Sequence, residues 1–217
     1  MTPGIICVLT AFVLCSAVDI VAVGKGCVRA ERIAKPLLMP LLLAFYLLSA
    51  KTPNLFLVLA LVGGFLGDTF LLSSGVFFAC GLLSFLLGHL FYITAFLRPL
   101  DFSALPPLLW ISALLLYLLY SIPVCRHLMP FVEPKVQPAV VLYMICLLGM
   151  SFASLLRYQY ASGVRFWLPF VGSLLFVASD TMLAFHVFRK KSGENSGVAV
   201  MITYLLAQFL IVSGFLP

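Results

Sequence analysis

Two aspartates stand where a carboxylate is costly to place. Asp68 lies in FLGDTFLL (65–72) and Asp180 in VASDTMLA (177–184), each well inside a long apolar run. Surroundings that exclude water cost an ionised carboxyl at least about 3 kcal/mol unless it is paired or protonated. A group retained at that cost is a functional candidate, and the chemistry on offer is proton transfer. An enzyme would use it for acid–base catalysis, and a transporter for proton coupling; these residues alone support both equally. The bland alternative is an aspartate hydrogen-bonded across two helices. Asp19, near the end of the first apolar run, is expected at the membrane interface and carries less weight.

Other polar residues recur at helical spacing. His89 and Tyr92 sit three apart in GHLFY (88–92), close to one turn and so near one helix face. Tyr204 and Gln208 are four apart and share a face of the last run. Lys35 opens the second run. Hydrogen bonding between helices is the ordinary role of such side chains. Gly63, Gly64 and Gly67 in the third run are expected to let helices approach closely. There is no GxSxG, HExxH or P-loop, so serine-hydrolase, zinc-protease and nucleotide-binding readings lack their usual marks.

The elements that must position these residues are transmembrane helices. The chain is 217 residues long, 64% hydrophobic and 9% charged, which requires lipid as the solvent. Eight apolar runs approach the length of a span: 4–23, 35–50, 54–72, 76–97, 104–124, 137–157, 166–188 and 197–216. They are continuous rather than alternating, which argues against a β-barrel. The expected fold is all-α, one polytopic bundle of about eight helices forming a single domain over 1–217. Pro36, Pro53, Pro106 and Pro138 mark helix entries, where a missing N–H costs nothing. Residues 1–23 lack a basic leader and a cleavage site, and are expected to be a retained helix. The six cysteines fall mostly in apolar runs without metal-ligand spacing.

The net charge is +6, scattered over connecting loops with no basic stripe, so it argues for topology and not for nucleic acid. Loops one, five and seven carry Lys25, Arg29, Arg32, Lys35, Arg126, Lys135, Arg189, Lys190 and Lys191. Loops two, four and six carry Lys51, Arg98, Arg157 and Arg165. The excess places the odd loops in the cytoplasm and both termini outside it. Runs three and seven then cross in the same direction. Asp68 and Asp180 fall roughly 6 and 12 Å from the cytoplasmic edge at 1.5 Å per residue, in one leaflet, with Lys35 and Tyr204 on the same side. A faint echo accompanies this: Asp-Thr-x-Leu recurs at a shift of 112 residues, which also carries Tyr92 onto Tyr204. Two four-helix halves of like orientation would produce it.

Taken in order, AKPLLMP (34–40), LGDTFLL (66–72), GHLFY (88–92), SDTMLA (179–184) and Tyr204 to Gln208 resemble the YhhN-type lysoplasmalogenase family. The resemblance runs from the second helix to the last; run five and residues 125–136 carry no part of it. It implies hydrolysis of the vinyl-ether bond of a lysoplasmalogen, giving a fatty aldehyde and glycerophosphoethanolamine or glycerophosphocholine. That chemistry needs a proton donor, a negative charge to stabilise an oxocarbenium ion and a positioned water. Asp68 and Asp180 in different protonation states would supply them, as paired carboxylates do in glycosidases. His89, Tyr92 and Tyr204 would orient the carboxylates or the water. Lys35 would pair with the lipid phosphate as a point charge, or else snorkel to the interface as a topogenic cation. The scheme requires no metal or organic cofactor, and its partners are a lysophospholipid substrate and membrane lipids. The protein would lie in the inner membrane of a bacterium or the endoplasmic reticulum of a eukaryote. A proton-coupled transporter using the same aspartates is the main rival, and a non-catalytic scaffold the third reading.

Overall fold

Lipid offers no hydrogen-bond partners, so each apolar run must satisfy its own backbone, and the helix does this. A computed structural model describes residues 2–104, 106–189 and 196–217. Lys190 and Lys191, counted among the loop-seven cations, lie outside the described residues. The described residues form eight α-helices: α1 Pro3–Gly24, α2 Val28–Ser49, α3 Leu55–Leu71, α4 Val76–Leu97, α5 Pro107–Leu128, α6 Gln137–Leu156, α7 Val164–Arg189 and α8 Ser196–Ser213. Among the described residues there is no strand. Seven helices among the described residues are long and apolar enough to span a bilayer. The exception is α3, whose 17 residues reach about 25 Å against a hydrocarbon core of about 30 Å.

The expected runs and the observed helices correspond closely, with one instructive difference. α2 starts at Val28, seven residues earlier than its apolar run. The segment VRAERIA is too polar to register as a span, yet Ala, Arg and Glu are good helix formers. Two expectations change as a result. Lys35 does not open the helix but lies two turns inside it, and Pro36 stands in the interior with Pro40 rather than at the entry. The expected entries are found elsewhere: Pro106 is the N-cap of α5, and α6 has a proline in its first turn. Pro53 precedes Asn54, whose side chain caps α3 by accepting from the Phe56 and Leu57 amides.

In space the helices pack α1–α2, α2–α3, α3–α4, α4–α6, α6–α7, α7–α8 and α8–α1, closing a ring of seven. α5 stands outside this ring against α6 and α7. The interior is filled by Leu38, Leu42, Leu57, Leu61, Met150, Phe176 and Ile211 among others, each almost fully buried. The outer surface exposes large apolar side chains such as Val13, Leu14, Leu83, Leu116 and Ile145. Exposure of apolar side chains on this scale is stable only against lipid tails.

Close approach of α3 and α4 brings the site residues within reach of each other. A Cβ on Gly63 would sit 3.0 Å from the Ser84 carbonyl and 3.1 Å from Gly88 Cα. A Cβ on Gly67 would meet the Phe85 ring at 2.6 Å. The sequence expectation of glycine-mediated packing is met at these two positions.

Candidate active site

Asp68 lies one turn before the C-terminal end of α3 and is 2% exposed. Its Oδ2 accepts a hydrogen bond from the Tyr204 hydroxyl of α8 at 2.8 Å. The Tyr204 oxygen in turn accepts from Gln208 Nε2 at 3.4 Å, one turn further along α8. Gln208 Oε1 accepts from the Tyr92 hydroxyl of α4. A chain of polar groups therefore runs α4 to α8 to α3 through a region otherwise closed to water. Such a chain fixes the carboxyl's orientation, because each member satisfies the next.

Asp180 lies mid-length in α7 and is partly buried. Its Oδ2 accepts from the Tyr143 hydroxyl of α6 at 2.5 Å. His89 Nε2 of α4 is 3.4 Å from the same oxygen and 3.3 Å from the Tyr143 hydroxyl. The His89 ring is held edge-on against Tyr143 and Phe176, with centroids 5.3 and 5.0 Å away. Each carboxylate thus has its own phenol, and Asp180 has an imidazole as well.

The two aspartates share one cavity. Its volume is about 470 Å³, and Asp68, Asp180, Lys35, Glu31, Tyr204 and His186 line it together with apolar side chains including Phe78, Phe85 and Leu183. It lies at the end of the bundle formed by the α2 and α8 starts and the α3 and α7 ends. Lys35 Nζ donates to Glu31 Oε1 at 3.1 Å, an i, i+4 pair along α2. At 15% exposure, Lys35 holds its charge against the cavity instead of extending freely to an aqueous interface. His89, Tyr92 and Gln208 do not line the cavity; they stand behind the residues that do.

Of the residues singled out from sequence, Asp68, Asp180, Lys35 and Tyr204 therefore meet at the cavity, and His89 meets Asp180 from behind. Tyr92 touches neither carboxylate, because its hydroxyl serves Gln208. Asp19 is enclosed by protein. It is fully buried in α1 with both carboxyl oxygens lacking a hydrogen-bond partner, and it interacts electrostatically with Lys35 and Glu31. One turn before Asp19, Cys15 Sγ donates to the Ala34 carbonyl of α2 at 3.3 Å, where the two helices pack. Tyr143 and Glu31 were not anticipated. The one signal for Tyr143 was a phenol in the middle of VLYMIC, a pattern that lipid-facing tyrosines share. Glu31 was masked by its place in a polar stretch that reads as a loop.

The fold and this cavity define a polytopic helical membrane protein with a pair of carboxylates facing one chamber inside the bundle. Residues 30–215 match the model of the YhhN family, and the chain belongs to that family. A stretch of 135 residues is 34% identical to a protein of Sus scrofa named lysoplasmalogenase TMEM86B, covering 62% of this chain and 52% of the relative. The chain thus spans about half the length of that curated relative. No solved structure matches the chain.

Proposed function

We propose that the protein is a lysoplasmalogenase, hydrolysing the vinyl-ether bond of a lysoplasmenyl phospholipid at Asp68 and Asp180. The observation that carries this reading is their convergence, from α3 and α7, on one cavity with a cation at its wall. Membership of the YhhN family and the printed name of the Sus scrofa relative support it.

The reaction asks for what the site contains. One carboxyl donates its proton to the vinyl carbon β to oxygen, and the electron pair of the double bond forms the new C–H bond. The positive charge is then shared between the α carbon and the ether oxygen, and the second carboxylate stabilises it electrostatically. Water adds to the α carbon and loses a proton to a carboxylate. The hemiacetal collapses with cleavage of the bond to the glycerol oxygen, which takes up a proton. One water is consumed, and a fatty aldehyde and a glycerophosphodiester are released. Tyr204 and Tyr143 fix the two carboxyls, and His89 braces Asp180. Lys35 attracts the lipid phosphate, with Glu31 as its partner in the empty site. The apolar wall formed by Phe78, Phe85 and Leu183 receives the alkenyl chain. We further propose that this end of the bundle faces the cytoplasm, with both termini on the other side.

Purified protein in detergent should release fatty aldehyde from lysoplasmenylethanolamine, while Asp68→Asn and Asp180→Asn should each lower the rate at least about a hundredfold with unchanged folding. Lys35→Met should raise KM more than it lowers kcat, because the phosphate contact is present in both ground and transition states. No aldehyde from well-folded wild-type protein would redirect the reading to proton-coupled transport, which flux into sealed vesicles would then reveal.

A further inference from the structure

A second cavity, of about 560 Å³, opens at the opposite end of the bundle, between the ends of α2, α4 and α8 and the start of α7. It shares no lining residue with the carboxylate cavity. The two are about 15 Å apart along α8, from Tyr204 to Gly214, and about 22 Å along α2, from Lys35 to Ala50. Arg157, Lys51 and Arg165 line it together with Pro217, and no Asp or Glu side chain among the described residues does.

Arg157 is the unusual member. It follows α6 and is only 4% exposed, yet it has no carboxylate partner among the described residues. Its guanidinium lies over Phe215, with Cζ 4.5 Å from the ring centroid, and 5.4 Å from that of Phe96. One amino group donates to the Gly214 carbonyl at 3.3 Å. Tyr160 interacts with the guanidinium electrostatically and through a side-chain hydrogen bond, and its own hydroxyl donates to the Phe96 carbonyl at 2.5 Å. Beside this phenol, buried Nε and Nη1 have no acceptor at full hydrogen-bond geometry. A buried cation with unmet donors is strongly destabilising unless something completes it. The aromatic rings offset part of that cost but accept no N–H bond in the plane of the fork.

We propose that this cavity binds a phosphate-class anion, a mono- or diester, which accepts from Arg157 and is closed over by Lys51 and Arg165. The planar fork of arginine matches phosphate oxygens, and three cations with no Asp or Glu among the lining residues suit an anionic group. Asn54 and Ser162 line the same space and add neutral polar groups. The anion is either the headgroup of a phospholipid in the adjacent leaflet or free phosphate. It is not the headgroup of the lipid whose vinyl ether lies at Asp68 and Asp180, because that phosphate is only one glycerol away from the scissile bond. The inference therefore stands apart from the proposed reaction.

The test uses phosphatidic acid in mixed micelles and inorganic phosphate as probes. Each is titrated into the purified chain and followed by native mass spectrometry and thermal unfolding. Saturable one-to-one binding with a raised Tm is expected for at least one probe. Binding of both assigns the site to the phosphate group itself; binding of phosphatidic acid alone assigns it to a leaflet lipid. Lys51 and Arg165 are exposed, so a Lys51→Gln/Arg165→Gln double variant should fold normally and bind roughly tenfold more weakly. Arg157→Gln should abolish binding. Absence of saturable binding to wild type, or an unchanged affinity in the double variant, would overturn the proposal and leave Arg157 a strut stacked on aromatic rings.

Discussion

Each carboxyl of the site is tied to a phenol from a different helix, and the two ties are not equivalent. Tyr204 holds Asp68 inside a fully buried chain that continues to Gln208 and Tyr92. Tyr143 holds Asp180 at the cavity wall beside His89. Removing the Tyr204 hydroxyl strands a buried carboxyl oxygen, and an unmet buried acceptor costs about 1–3 kcal/mol. Tyr204→Phe is therefore expected to lower the Tm of the solubilised protein and to slow aldehyde release roughly tenfold or more. Tyr143→Phe leaves Asp180 with His89 and the cavity, so its effect should fall on turnover with a smaller loss of Tm. Measuring both quantities in both variants separates a carboxyl's orientation from its contribution to stability. Asp68, Asp180 and Tyr204 were legible as candidates because polar groups at bilayer depth are conspicuous. Tyr143 was not, because nothing in a one-dimensional pattern distinguishes a phenol facing the bundle from one facing lipid.

Helix packing explains how such groups come so close. The α3–α4 and α7–α8 hairpins each bring backbones together at glycine: Gly63 opposes Gly88 and the Ser84 carbonyl, and Gly172 opposes the Ala207 carbonyl. At Gly63 the neighbours are backbone atoms, which cannot rotate away. Gly63→Ala should destabilise the protein by about 1–3 kcal/mol through forced separation of α3 from α4, read as a lower Tm or faster loss of activity on heating. Gly64 differs, since its added Cβ would meet Tyr204 and Gln208 at 3.4 Å, an ordinary contact. Gly64→Ala should accordingly be the milder change. The 112-residue echo meets a limit at this scale. Tyr92 and Tyr204 correspond by spacing, yet Tyr204 serves a carboxylate and Tyr92 serves an amide, while α6 supplies the phenol for Asp180. The element that sequence reading misplaced, the start of α2, is the one whose amphipathic first turns carry Glu31 and Lys35 to the cavity.

At the scale of the molecule, two cavities described above lie at opposite ends of the seven-helix ring and differ in electrostatic character. One is lined by carboxylates with a paired lysine, the other by cations with no Asp or Glu side chain among the described residues beside them. The loop charges of the two ends give the proposed orientation, with the carboxylate end in the cytoplasm. Cys27 in the α1–α2 connection is exposed and reports on it. In sealed membrane vesicles of known orientation, a membrane-impermeant maleimide should label Cys27 from the cytoplasmic face alone, with Cys27→Ser as the blank; labelling from the opposite face would invert the topology.

The sequence by itself determined what local rules can determine. Apolar runs of span length allow only helices in lipid, so the eight elements and most of their boundaries followed from composition and length. Carboxylates inside two of those runs were costly enough to mark themselves. Only the tertiary structure decided that α1 to α4 and α6 to α8 close a ring while α5 stays outside, because every helix here is apolar on most of its surface and packing partners leave no periodic signature. It also decided which phenol meets which carboxyl, that Asp19 is buried within the protein, and that Arg157 lies among aromatic rings without a carboxylate partner among the described residues. Those outcomes depend on rotations of helices about their axes, set by where glycines allow backbones to touch, and no spacing along the chain encodes them directly.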